Sequence, residues 1–292
     1  MSLNLVVGAT GMVGSEVCRR LTAAGKAVRA LVRTSSDPDK VSKLKAMGVE
    51  TVHGDLRDRV SLDAACKGVK AVITTVSSMP FAYKPGENDI RSTDLEGERS
   101  LIDAAKAAKV RQFIYTSFSG NLDLDFPIRN AKRAVEQHLK ESGMTYTILR
   151  PSFFMEVWLS PACGFDPANA KAAIYGDGSK PISMIAVGDV AAFAVAGLEN
   201  VAARNATLEM GGPEALTPLQ IVKVFERVHG RSFEVQFVPA EALAAQQAAA
   251  TDPMQQSFSG LMRCYAAGDS IDMRETLKAF PIQLTSVAQF AK

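Results

Sequence analysis

The chain is poor in the residues that announce metal or disulfide chemistry. Among 292 residues it has four cysteines, Cys18, Cys66, Cys163 and Cys264, and none is in CxxC spacing. That scatter argues against a disulfide framework and fits a reduced, cytoplasmic compartment. The three histidines, His53, His138 and His229, form no ligand pair, so no metal site is expected. Surplus charge is lacking too. Lys plus Arg is 33 against 31 for Asp plus Glu, which leaves no dedicated surface for nucleic acid or an anionic membrane. No apolar run approaches the roughly 18–20 residues of a membrane span. No leader is expected, because a strand-like run begins almost at once. What is present is an ordinary globular composition, 47% hydrophobic, long enough for one large domain or two coupled ones.

The first half alternates strand and helix. Leu3–Val7 is wholly apolar but for Asn4, the pattern of a strand buried on both faces. Val13, Val17, Leu21 and Ala24 then recur at helical spacing, and Gly25 marks a C′ position. Strands are predicted at Val28–Val32, Val49–Val52, Val69–Val76, Gln112–Thr116 and Tyr146–Leu149. Helices are predicted near Ser61–Cys66, Thr93–Ala107 and Asn130–Glu141. The alternation implies an α/β fold with a doubly wound, mainly parallel sheet, whose crevice lies beyond the carboxyl ends of the strands.

The second half is less regular. Short strands are expected at Ala172–Tyr175 and Ile182–Ala186, and helices at Gly188–Leu198, Leu219–Val228 and Ala240–Ala250. Thr217 followed by Pro218 is a strong helix start. The expected division is a nucleotide-binding domain over residues 1–151 and a smaller α/β lobe over 152–292. Residues from about 186 to 212 are expected to return in part to the main sheet.

The glycines carry the first functional signal. Gly8, Gly11 and Gly14 follow an apolar strand and open a helix. Gly8 permits a tight turn, Gly11 lets a pyrophosphate approach the backbone, and Gly14 lets helix and strand pack closely. Thr10, Met12 and Val13 complete a turn that offers amides and a positive helix end to an anion. The spacing is GxxGxxG rather than GxGxxG, and an ordinary structural turn is the alternative. At the end of the second strand stands Arg33, followed by Thr34, Ser35 and Ser36, with no acid before Asp37. A guanidinium and hydroxyls suit a 2′-phosphate, so NADP is the expected cofactor. The plainer reading of Arg33 is a solvated loop cation.

Several blocks together resemble a family. GATGMVG, ALVR at 30–33, GDLRD at 54–58, YTS at 115–117, Lys132 and TYTILRPSFFME at 145–156 are similar to the NmrA-like branch of the atypical short-chain dehydrogenase/reductases. The resemblance spans at least residues 3–215. It implies a Rossmann-type domain with a small C-terminal substrate lobe. It places Asp55 and Leu56 beside adenine, Thr75, Val76 and Ser77 along the ribose, and Pro151, Ser152 and Phe153 near the nicotinamide. Each of these could instead be a strand terminus that merely closes the sheet.

The same resemblance poses the catalytic question. Short-chain dehydrogenases use a serine, a tyrosine and a lysine four residues after it. Here residues 128–132 read IRNAK: Lys132 is in place, but Ile128 stands where the tyrosine belongs, and isoleucine transfers no proton. Three readings follow. Lys132, with Ser117, manages the developing charge in a reductase. Alternatively Tyr83, on the Ser78–Arg91 loop, substitutes as the phenol. Or the protein binds NADP without turnover and reports redox state to a protein partner. Lys132 could also be only a hydrogen-bonding helix residue. No GxSxG elbow is present. Phe153, Phe154, Met155, Val157, Trp158 and Leu159, with Met79, Phe81, Tyr83, Phe165 and Tyr175, could wall an apolar pocket, or could be core. A pocket of that kind suits a small apolar or aromatic carbonyl or enone substrate. Nothing in the sequence indicates an oligomeric state.

Overall fold

The structure is a computed structural model and describes residues 2–79 and 83–292. In chain order the first elements are β1 (Leu3–Val7), α1 (Met12–Ala23), β2 (Ala27–Val32), α2 (Pro38–Ala46), β3 (Glu50–His53), α3 (Arg59–Ala65) and β4 (Val69–Thr74). A π-helical segment, Ile90–Gly97, runs directly into α4 (Glu98–Ala107), followed by β5 (Gln112–Thr116), α5 (Pro127–Glu141) and β6 (Thr145–Pro151). Next come α6 (Met155–Trp158), β7 (Phe165–Asp166), β8 (Lys171–Tyr175), α7 (Val187–Gly197), β9 (Ala206–Met210) and α8 (Pro218–His229). The chain ends with β10 (Glu234–Val238), α9 (Ala240–Ala249), α10 (Pro253–Ala267), α11 (Arg274–Ala279) and α12 (Val287–Phe290).

Seven strands form the main sheet in the order β3-β2-β1-β4-β5-β6-β9. The pairs from β3 to β6 are all parallel. This is the Rossmann-type arrangement. The strand order reverses between β1 and β4, the switch point at which such sheets open a crevice. The central strands β1, β4 and β5 are buried along nearly their whole length. Leu5, Val7, Val72 and Phe113 meet Leu62, Leu101, Ile102, Val135 and Leu139 of α3, α4 and α5 in one buried cluster. β7, β8 and β10 form a separate three-stranded sheet.

Local chemistry explains several boundaries. At the end of α1 the Gly25 amide donates to Thr22 and the Lys26 amide to Leu21, with Gly25 at φ +68°. This is the Schellman arrangement that a C′ glycine allows. Thr217 and Gln220 cap α8 reciprocally, with Pro218 at its first position.

The chain divides into two compact bodies. One comprises Met1–Ser117, Asn130–Leu149 and Val190–Leu208; the other comprises Phe118–Arg129, Arg150–Asp189 and Glu209–Lys292. A single division at residue 151 therefore misses a segment. Residues 118–129 group with the second body because their polar atoms are satisfied there. Ser119 and Asn121 donate to Asp269, the Gly120 amide to Glu209, and the Ile128 amide to Ser257. Ile182–Ala186 is not a strand. Its residues make isolated single bridges, Ile182 to Leu216 and Asp269 and Ile185 to Phe154. No one neighbour runs alongside it long enough to form a ladder.

Candidate functional site

At the carboxyl end of β1 the chain turns through Gly8, whose φ of +83° lies in the left-handed region that favours glycine. A Cβ there would sit 2.9 Å from Thr75 Oγ1, so the residue that follows β4 closes directly on the turn. Gly11 caps α1 in extended backbone, and its amide donates to the Gly8 carbonyl at 2.9 Å. Gly14 is where helix and turn touch: a Cβ there would fall 2.2 Å from the Gly8 carbonyl oxygen. α1 starts with no capping side chain and no acid in its first turn. Its first amides and its positive end are thus left to an external anion. Val13 is buried, while Thr10 is half-buried and Met12 exposed at the rim. This bare backbone fits a dinucleotide pyrophosphate.

Arg33 directly follows β2 and is half-buried. Its amide donates to Ser36 Oγ, and the Ser36 amide returns to the Arg33 carbonyl, both at 3.0 Å. The turn fixes where the guanidinium starts. Asp37 accepts from the Asp39 amide as the cap of α2, so the first acid after the strand is spent on the helix. Across the turn, Arg57 grips the Asp55 carboxylate with two bonds of 2.9 Å and holds its pKa below the usual range, helped by the charge of Arg33. Leu56 is buried against Gly97, where a Cβ would fall 2.7 Å from its own.

The segment after β4 meets a buried ionic cluster. Lys132 of α5 is 1% exposed, and its ammonium donates to the Val76 carbonyl at 2.8 Å. It lies 3.5 Å from Asp94 Oδ1 and 5.2 Å from the centre of the Tyr115 ring. Asp94, fully buried, accepts from both the amide and the hydroxyl of Ser78. Glu98, also fully buried, accepts from Thr74 Oγ1 at 2.7 Å. Burial pushes the Glu98 carboxyl up to about 7, against the opposing pull of Lys132. Burial likewise pushes the Tyr115 phenol well above its ordinary value, reinforced by Glu98 and Asp94. Thr75 and Ser77 are half-buried on the same segment.

Ser117 goes elsewhere. Its hydroxyl donates to Glu136, and Arg133 reaches both Glu136, at 2.7 Å, and Ser117, at 3.3 Å. The structure therefore joins Ser117 to Glu136 and Lys132 to Asp94. Sequence reasoning found the lysine but not Asp94, Glu98, Glu136 or Arg57. One signal was readable: Asp94 and Glu98 occupy the stripe continued by Leu101, Ile102 and Ala105, where helical spacing calls for apolar side chains.

The candidates from Pro151 onward lie in the second body. The Pro151 carbonyl accepts from the Ser119 amide and Ser152 donates to the Met210 carbonyl. Phe153 packs edge-on against Trp158 and Tyr265, at 4.8 and 5.5 Å. Trp158 stacks on Tyr265 at 5.1 Å, and Tyr175 meets Tyr265 edge-on at 5.7 Å. All four rings are buried, so they spend their faces on one another as core. Phe165 belongs to a different group, with Phe225 and Phe233. Ile128 is fully buried, its amide bonded to Ser257, so the position of the missing tyrosine is packed. Tyr83 is half-buried; Phe81 lies outside the described residues. Among the described residues no cluster of three His, Cys, Asp or Glu could hold a metal, and no helix is long and apolar enough to cross a membrane. The four cysteines are unpaired and buried, their thiols pushed up to about 11 or 12 by burial.

Comparison with known proteins bears on the family and the fold. The family described as the NmrA-like family matches residues 2–291. The chain is 34% identical to a (4-alkanoyl-5-oxo-2,5-dihydrofuran-3-yl)methyl phosphate reductase of Streptomyces griseus, over 87% of this chain and 84% of that protein. It is 32% identical to an NAD(P)H azoreductase of Xenophilus azovorans, over 88% and 84%. It is also 29% identical to the photosystem II assembly factor Ycf39 of Trieres chinensis, over 82% and 72%. Among solved structures, an NADPH-dependent quinone oxidoreductase of Escherichia coli complexed with NADPH shares the fold, with a TM-score of 0.78 and 24% identity over 99% and 98% of the two chains.

Proposed function

The chain belongs to the NmrA-like family, and from that premise we propose that it is an NADP(H)-dependent oxidoreductase acting on a small apolar or aromatic carbonyl or enone compound. The reductase and azoreductase relatives support the reaction class and the cofactor. The observation that carries the reading is the position of Lys132. Its ammonium binds the carbonyl of Val76, whose side chain lies against the glycine turn: a Cβ at Gly8 would be 3.2 Å from Val76 Cγ2. A buried cation is thereby held one residue from the cofactor cradle.

Gly8, Gly11 and Gly14 would hold the pyrophosphate of NADP(H), and Arg33 its 2′-phosphate. Bound NADPH supplies a hydride. The chain must then meet the negative charge that the substrate gains. Lys132 Nζ holds a positive charge where little water can help, the condition in which one charge counts most. It can also give a proton. Ser117 is a weaker candidate, since its hydroxyl is already donated to Glu136.

The test is NADPH oxidation with a panel of quinones, aromatic aldehydes and enones, followed by Lys132→Met on any substrate found. Turnover should fall about 100-fold or more, the scale of a lost general acid or oxyanion donor. NADPH affinity should change little. An unchanged rate would remove the lysine from the chemistry and point to Tyr83.

One observation favours a second reading, a redox sensor acting through a protein partner: the Lys132 ammonium is already engaged by Val76 and Asp94. The similarity to an assembly factor supports it. Selective NADP(H) binding with no turnover across the panel would establish that reading in place of the first.

A further inference from the structure

The segment leaving β4 is bonded to the buried cluster at every second residue. Thr74 donates to Glu98, Val76 accepts from Lys132, and Ser78 gives both its amide and its hydroxyl to Asp94. Thr74, Ser78, Asp94 and Glu98 are 0% exposed and Lys132 is 1% exposed. Taking two carboxylates and an ammonium out of water is costly, and removing one partner of such a set leaves an uncompensated charge. The carboxylates also stand on an uncommon backbone. Asp94 lies within the π-helical segment and Glu98 is the residue immediately after it. Such i→i+5 winding occurs mostly as short interruptions and often at functional sites.

We propose that this π-helical segment is the positioning device for Lys132: Asp94 is its buried counter-ion, and Asp94 and Glu98 together clamp the β4 exit segment whose Val76 carbonyl holds the ammonium. Its consequence for turnover rests on the reductase reading of Lys132. One ammonium faces two carboxylates, and burial pushes the Glu98 carboxyl up to about 7, against the opposing pull of Lys132. The other charged and titratable groups that bear on the cluster are Tyr115 of β5 and Arg133 and Glu136 of α5. Tyr115 offers its ring to the ammonium at 5.2 Å.

The experiment compares Asp94→Asn and Glu98→Gln with the full-length wild type in three measurements. Amide exchange over residues 74–79 reads the clamp without substrate. NADPH affinity, from the fluorescence of the bound cofactor, reads the cradle. Steady-state kinetics with a quinone from the panel reads the lysine. In Asp94→Asn we expect exchange in the segment to quicken about tenfold or more, as a protecting interaction is lost. We expect kcat to fall about tenfold or more, with the quinone KM and NADPH affinity within about threefold, as for a charge that matters in the transition state. Glu98→Gln, which weakens the bond accepted from Thr74, should quicken exchange in the same segment, and unchanged exchange there removes Glu98 from the clamp. Unchanged exchange in Asp94→Asn, or faster exchange with unchanged kcat, overturns the proposal. If the wild type turns over no substrate, the reductase reading fails, and the exchange result alone decides whether the clamp exists. If Asp94→Asn does not fold, Ser78→Ala removes the hydroxyl bond from the other side and is judged by the same criteria.

Discussion

The glycine turn and the lysine cluster both close on the segment after β4, yet they are built in opposite ways. The turn is made of backbone with side chains removed. Its geometry is fixed by what cannot fit at Gly8 and Gly14. The cluster is made of charged side chains brought from the π-helical segment, α4 and α5 into a place with almost no water. A site that receives an anion can rely on amides, which carry no net charge and cost little to bury when a ligand completes them. A site that keeps a cation ready must bury its counter-charges too, and each depends on the others.

Substitutions at the glycines separate fold from binding. Gly14→Val should produce the largest effect. Its Cβ would overlap the Gly8 carbonyl, and moving backbone apart costs about 3 kcal/mol or more. A thermal or urea melt should show strong destabilisation. Gly11→Val should leave the fold intact, because its backbone is extended and a Cβ there meets only the Gly8 carbonyl at 3.2 Å. It should abolish NADPH binding, with circular dichroism unchanged. Unfolding of the Gly11 variant would erase the distinction between a packing glycine and a binding glycine.

The cluster is broken by pH. Folding raises the Glu98 carboxyl from about 4.5 to about 7, chiefly by burial. A group raised in this way favours the folded state fully below its unfolded value and loses that advantage as pH climbs through the folded one. The wild type should therefore lose stability between about pH 4.5 and 7, by a few kcal/mol at most. Glu98→Gln should flatten that slope. Urea midpoints at pH 5 and pH 8 for both proteins measure it; parallel changes in the two would mean that other groups carry the dependence.

The smallest effect is expected at Arg33, at the outer end of the cradle. Arg33→Ala should weaken NADPH binding by about 1.5–3 kcal/mol, the range for a hydrogen bond to a charged group, and NADH binding hardly at all. Equal losses for the two cofactors would remove the 2′-phosphate contact from the picture.

What the sequence made legible follows the same divide. β1, the glycines, α1 and its C′ glycine read directly, because strand, turn and helix there are set by neighbours a few residues apart. The cap at Thr217 and Pro218 read for the same reason. α2 was missed. Its residues are mostly exposed, with Leu44 its one buried side chain, so it shows little apolar periodicity. α10 was also missed, and with it Tyr265, the ring on which the aromatic core of the second body converges. The strand expected at Ile182–Ala186 is apolar enough, but pairing depends on partners more than 30 residues away in sequence, such as Leu216 and Asp269. Lys132 was visible through its resemblance to a motif. Asp94 and Glu98 are defined by burial, which only the folded chain displays.

The stack of Trp158 on Tyr265 has an optical consequence. Trp158 is the only tryptophan of the chain, and it lies in the second body. Tryptophan fluorescence of the protein comes from that one indole, so it reports directly on the surroundings of Trp158 in the second body. Far-ultraviolet dichroism sees the helices of both bodies. Denaturation curves that coincide in the two signals describe a single cooperative unit. Curves that separate assign the fluorescence transition to the second body, and the remainder to the glycine turn and its buried lysine.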